Sequence, residues 1–379
     1  MAGIYVHIPF CKSRCIYCDF YSTPYTDRID EYINAVLREA ETRREELTEP
    51  VTTVYFGGGT PSQLSTPQLT RLITGLRERV NLSQVEEFTV EVNPDDITTE
   101  WVEAAVATGV NRVSMGVQSF NDKELLFMRR RHNAAEAIAA VHTIQRAGVS
   151  NMSIDLIYSI PGQTIESWRE TIATALMLNV QHISAYELSY ERGTELSRQA
   201  MLGQFEPIEE DTTIQMYHTL ARELAAAGFE HYEVSNFAKP GFRSRHNSAY
   251  WQRVPYLGLG AAAHSFNGRR RSYNPDRFDA YITAIETLGK AYKLEPQFTR
   301  EEKYDEMIFL GLRTIDGLDL RSVSRRFGKP NAERIKRLIQ PFIASGDAVL
   351  DSSFLRLTEK GLLLSDAIIR ELMADDDFE

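Results

Sequence analysis

The chain has 379 residues, 43% of them hydrophobic and 25% charged, with a formal net charge of −11. This composition suits a globular protein with a full core, and it holds neither an apolar run of membrane-spanning length nor a secretory n-region and h-region. The acidic balance argues against broad contact with a phosphate backbone or an anionic lipid surface.

Residues 3–8 read as a strand, and the chain's three cysteines, Cys11, Cys15 and Cys18, follow at once. Residues 27–46 read as a helix, with Ile29, Tyr32, Ile33, Val36, Leu37 and Ala40 on one face. Residues 54–56 then lead into a glycine run and a helix near 67–80. Further strands are expected at 87–92, 112–115, 152–157 and 182–185, each followed by helical or mixed pattern. Thr164 reads as an N-cap, with Ile165, Trp168, Ile172 and Leu176 spaced for packing. Regular alternation of strand and helix implies an α/β fold with a parallel sheet, open or closed into a barrel. In such barrels the chemistry lies at the carboxyl ends of the strands.

The pattern weakens after about Phe237, and residues 239–256 read as a loop rich in Gly, Pro and Arg. Helices are expected near 301–313, 320–327 and 332–343. A strand pair follows at 348–350 and 355–357, and a last helix starts at Glu359. Helices with a small hairpin suggest a winged-helix-like unit. It carries no basic stripe, so packing or partner binding is expected there rather than nucleic acid. The expected division is 1–237, 238–296 and 297–379, with a frayed acidic tail over 375–379.

The cysteines sit three and then two residues apart, with no fourth in the chain. An odd count in a long chain argues against a disulfide framework, and thiols of this kind stay reduced in the cytoplasm. A structural zinc site wants four ligands, and His7, the nearest candidate, lies in an apolar strand where it packs. Iron–sulfur clusters are normally held by four thiolates, so three suit a 4Fe-4S cluster with one iron open to a small molecule.

Gly57-Gly58-Gly59-Thr60-Pro61 follows a strand, where glycines admit a ligand close to the main chain. Without a Gly-Lys-Ser/Thr ending it is not a phosphate loop. Glu91, Gln118, Arg130 and Asp155 stand at later strand ends. Each alone reads as a rim salt bridge or loop hydrogen bond. Together they suit a cationic sulfonium ligand bearing an amine, a carboxylate and a ribose, because charges facing a closed core would be costly.

The Cys-x3-Cys-x2-Cys window, with Tyr17 before the last cysteine, resembles the radical S-adenosylmethionine superfamily. The string from Tyr5 to Phe20 also resembles the oxygen-independent coproporphyrinogen III oxidase family. So do the Gly-Gly-Gly-Thr-Pro, Glu-x-x-Pro, Arg-x-Ser-x-Gly-x-Gln-Ser, Arg-x-His and Asp-Leu-Ile-Tyr segments. That resemblance implies a partial TIM barrel with a smaller helical C-terminal domain. It implies cluster ligands at Cys11, Cys15 and Cys18. It places S-adenosylmethionine on Tyr5, Tyr17, Gly58, Gly59, Thr60, Glu91, Gln118, Arg130 and Asp155.

Members of that family that act as oxidases usually carry a fourth cysteine where this chain has Phe20, and a longer arm before the motif than the ten residues preceding Cys11. Both departures point to the family's heme chaperone branch, whose members bind heme and pass it to heme-accepting proteins. His246-Asn247-Ser248-Ala249-Tyr250-Trp251 matches that branch's His-Asn-x-x-Tyr-Trp motif. Read alone, this is a loop histidine bonded to Asn247 beside anchoring aromatics. Under the resemblance, His246 becomes an exposed-loop heme ligand, with Tyr250 and Trp251 stacking on the macrocycle and Arg243 and Arg245 meeting its propionates. Ser159 stands where relatives commonly have glycine. The rival expectation is a radical enzyme acting on a tetrapyrrole. A homodimer, and peripheral membrane contact through the acceptors, are compatible with either.

Overall fold

The computed structural model describes residues 1–375 and 378, and the tail expected over 375–379 otherwise lies outside the described residues. Strands β1 (Ala2–Ile8), β2 (Val51–Gly58), β3 (Glu87–Val92), β4 (Arg112–Gln118), β5 (Asn151–Tyr158) and β6 (His182–Glu187) pair side by side in chain order. All five pairings are parallel, as βα crossovers require. β7 (Glu230–Glu233) and β8 (Asn236–Ala238) add an antiparallel edge next to β6. On the other flank β9 (Tyr256–Leu259) runs parallel to β1, and β10 (His264–Phe266), β11 (Arg271–Tyr273) and β12 (Lys293–Leu294) continue antiparallel. Residues 256–294, within the expected connecting segment, therefore belong to the main sheet.

The sheet ends at β7 and β12 and does not close. Tyr186 and Asn236 on one flank and Tyr256 and Arg271 on the other line one cavity, so the sheet curls into an incomplete barrel with an open seam. Ile4, Val6, Val54, Phe56, Phe88 and Val90 pack into the main hydrophobic core. Alternate positions are polar and buried, among them His7, Thr53, Glu87, Arg112, Ser114, Ser153 and His182. Period-two alternation of this kind gives the barrel a polar lumen. Hydrogen bonds offset much of its desolvation: His182 meets Ser153 at 2.6 Å and Tyr232 at 2.8 Å.

The helix Ile29–Arg43 occupies the middle of the expected 27–46 segment, flanked by short 3-10 turns. Thr164 caps the helix Ile165–Met177, its hydroxyl accepting from the Ser167 backbone N–H. Ser159 takes a φ of 64°, the left-handed region that favours glycine. Its hydroxyl bonds Thr213 at 2.7 Å.

The C-terminal region has its own core. It is built on the helices Arg300–Leu312, Leu320–Phe327 and Lys329–Leu338 and on a small sheet of β13 (Leu318–Asp319), β14 (Ala348–Asp351) and β15 (Phe354–Leu357), in the order β13-β15-β14. Among the described residues no helix is long and apolar enough to cross a membrane.

Candidate functional site

Cys11, Cys15 and Cys18 lie on the loop leaving β1 and face one cavity of about 440 Å³ at the carboxyl ends of the strands. Tyr17, Gly58, Gly59, Thr60, Glu91, Gln118, Arg130 and Asp155 line the same cavity. Tyr5 does not reach its wall. Its hydroxyl is 3.1 Å from His7 Nδ1, beneath the mouth. The loop is fixed from behind by Ile16, which packs with Leu125, Met128, Ile157 and Leu196.

The polar contacts run around the mouth. Thr60 Oγ1 lies 3.3 Å from Cys11 Sγ and accepts from Asn93 Nδ2 at 3.3 Å. Arg130 donates to Cys15 Sγ at 3.4 Å, to Asn93 Oδ1 at 2.8 Å and to the Gly116 carbonyl at 2.6 Å. Its Nε is buried with no hydrogen-bond partner. Glu91 accepts from the Tyr55 hydroxyl at 2.7 Å and from the Gly58 N–H at 3.1 Å. Ser114 donates to Asp155 at 3.3 Å. Burial, with the charge of Asp155 adding to it, lifts the Glu91 carboxyl to about 7. Burial raises Asp155 as well. Asn93 and Ser114 escaped the sequence reading. Asn93 stands two residues after Glu91 and was legible as its neighbour; Ser114 is the first serine of the Arg-x-Ser-x-Gly-x-Gln-Ser segment and was legible there.

Three soft thiol donors on one loop fit a group ligated three times. Among the described residues no three or more His, Cys, Asp or Glu gather tightly enough to hold a single metal ion. Three thiols facing one cavity match the donor set of a cluster with one iron open. Burial raises the Cys11 and Cys18 thiols.

His246 overturns the expectation of an exposed loop. It lies on a helix, Arg245–Trp251, and is 1% exposed. Its backbone N–H donates to Glu87 at 2.9 Å. Both ring nitrogens are occupied, Nδ1 by Thr53 Oγ1 at 2.8 Å and Nε2 by the Tyr250 hydroxyl at 2.9 Å, and the ring stacks on Tyr55. Burial holds it neutral, down at about 3, with the Arg112 charge adding. The arginines are committed too. Arg243 grips Glu230 at 2.7 and 2.8 Å and reaches Asp316, while Arg245 pairs with Glu86. The expected propionate partners are therefore engaged by the protein's own acids.

The rest of the motif meets open space. Asn247, Tyr250 and Trp251 line a second cavity of about 500 Å³ at the seam of the barrel. Tyr186, on β6, lines both cavities.

The family model of the radical SAM superfamily matches residues 5–175, and that of the HemN C-terminal domain matches 298–364. The heme chaperone HemW of Lactococcus lactis is 35% identical, with 98% of this chain and 97% of that protein covered. The heme chaperone HemW of Bacillus subtilis is 32% identical, with 99% and 100% covered. Among solved structures, the coproporphyrinogen III oxidase HemN from Escherichia coli superposes with a TM-score of 0.85, covering 98% of this chain and 90% of that one. At 24% identity, that match speaks to the fold.

Proposed function

We propose, for a chain that belongs to the heme chaperone HemW family of the radical SAM superfamily, that it binds heme and passes it to acceptor proteins while holding a 4Fe-4S cluster and S-adenosylmethionine. Cys11, Cys15 and Cys18 would hold the cluster. Tyr17, Gly58, Gly59, Thr60, Glu91, Gln118, Arg130 and Asp155 would hold S-adenosylmethionine, with Tyr5 supporting them from below through His7. A cluster held by these cysteines would supply one-electron reducing chemistry to the sulfonium. The residues themselves would orient the ligand: Glu91 and Asp155 would meet its positive groups, and Arg130 its carboxylate.

The observation that carries the heme reading is the second cavity, walled by Asn247, Tyr250 and Trp251 of the motif and set apart from the cysteine mouth. His246 would serve as heme ligand through Nε2 only once the Tyr250 hydroxyl gives up that nitrogen. Residues 1–237 would then carry cluster and S-adenosylmethionine, 238–296 the heme motif, and 297–379 contacts with partners. A cytoplasmic site of action and a homodimer fit this assignment.

A second reading, a radical enzyme acting on a tetrapyrrole, is favoured by the gathering of the sulfonium-type residues in one cavity. One preparation separates the two. Anaerobically reconstituted protein is titrated with hemin and assayed for 5′-deoxyadenosine and protoporphyrinogen. Stoichiometric hemin uptake without protoporphyrinogen is expected, and His246→Ala should bind hemin at least about tenfold more weakly. A thermal melt of the variant accounts for its lost hydrogen bonds. Clear turnover of coproporphyrinogen would overturn the chaperone reading.

A further inference from the structure

The seam cavity carries charge that its own walls do not balance. Arg253, Arg271 and Arg313 all line it. Glu306 stands between two of them, ion-paired to Arg253 and 2.7 Å from Arg271. Arg313 pairs with Asp366, whose side chain is 74% exposed, and an exposed pair contributes little. The Arg313 Nε is buried without a hydrogen-bond partner. The other acid of the wall, Glu233, is pushed toward its neutral form by burial. Burial and the charges of Arg271 and Arg326 all work against the charge on Arg253. Three guanidinium groups against the two carboxylates of the wall, Glu306 and Glu233, leave an excess of one positive charge, and Arg313 is balanced only by an exposed acid. An anion entering a partly desolvated site relieves such crowding.

The remaining wall is flat and aromatic, with Trp251, Tyr256 and Phe266. Its volume of about 500 Å³ falls in the range of pockets that enclose organic ligands.

We propose that this cavity binds a flat macrocycle bearing two carboxylates, with Arg271 and Arg313 meeting the carboxylates and Trp251 and Tyr256 lying against the ring. The site rests on the heme reading above and moves the propionate partners from Arg243 and Arg245 to the seam arginines. Its carboxylates answer guanidinium charge that the wall leaves unbalanced, and Glu306 presets the spacing of Arg253 and Arg271 before cargo arrives.

The test changes the ligand before it changes the protein. The full chain is titrated with hemin and with hemin dimethyl ester, which keeps iron and ring but lacks both charges. The ester should bind at least tenfold more weakly. Arg313→Gln should weaken hemin by about the same factor and leave the ester unaffected, because charge-assisted pairs of this kind differ by a factor of ten or more. Equal affinity for hemin and ester overturns the site while the heme reading stands. Failure of the wild-type chain to take up hemin overturns both. A loss of ester binding equal to that of hemin in Arg313→Gln also overturns the site, since it marks damage to the fold rather than a lost carboxylate partner.

Discussion

At the cysteine mouth Glu91 is held close to its midpoint at neutral pH, because burial disfavours its charge and Asp155 stands near. A cationic ligand needs the carboxylate. Below about 7 the free site holds a proton that binding must expel, so affinity for S-adenosylmethionine should rise as pH passes upward through about 7. Calorimetric titration at pH about 6 and about 8 should show several-fold tighter binding at the higher value, and Glu91→Gln should be weaker and flat across that range. A wild-type affinity that does not change with pH would refute this assignment. Glu91 was readable in the sequence because a charge beside apolar strand residues must face something polar. His246 was readable as a motif but not as a buried side chain. Its partners Thr53 and Glu87 are distant in sequence, and no local pattern announces contacts of that range.

The ends of β1 and β2 are tied by the Gly59 N–H donating to the Ile8 carbonyl at 2.9 Å. A Cβ at Gly59 would come within 2.7 Å of the Pro9 carbonyl carbon and 2.8 Å of the Ile8 oxygen. Backbone cannot yield as a flexible side chain can, so Gly59→Ala should push aside the strand end from which the cysteine loop departs. Overpacking of this kind costs roughly 1–3 kcal/mol. Reduced iron and sulfide per chain after anaerobic reconstitution, with an unchanged far-UV spectrum, is the expected result; full incorporation would show that the loop tolerates the shift. The main strands were legible because their apolar runs end where glycines, acids or cysteines begin. The helix Arg245–Trp251 was not. Its seven residues are too short for a periodic stripe and sit among glycine, proline and arginine, so it reads as loop until Ser244 caps it by accepting from the Asn247 N–H.

Across the whole molecule, the two cores meet through few polar contacts. Glu306, on the helix Arg300–Leu312, reaches the barrel flank at Arg253 and Arg271. The Ile315 N–H donates to the Tyr232 carbonyl at 3.0 Å, and Arg243 bridges Glu230 and Asp316. Glu306→Ala leaves two neighbouring guanidinium groups facing each other without a counter-charge. A loss of about 2 kcal/mol is expected, discounted for the exposure of the arginines. Thermal unfolding should begin at a lower temperature, and limited proteolysis should cut faster between the units; an unchanged melt and digestion pattern would show that apolar packing alone holds them. The expected division into 1–237, 238–296 and 297–379 did not foresee that residues 256–294 would extend the first sheet. Those strands run two to four residues each, too short to stand out from turns.

Tyr186 is a partition common to the chamber of the thiols and the chamber of the arginines. A guest in either chamber would rest against the same side chain.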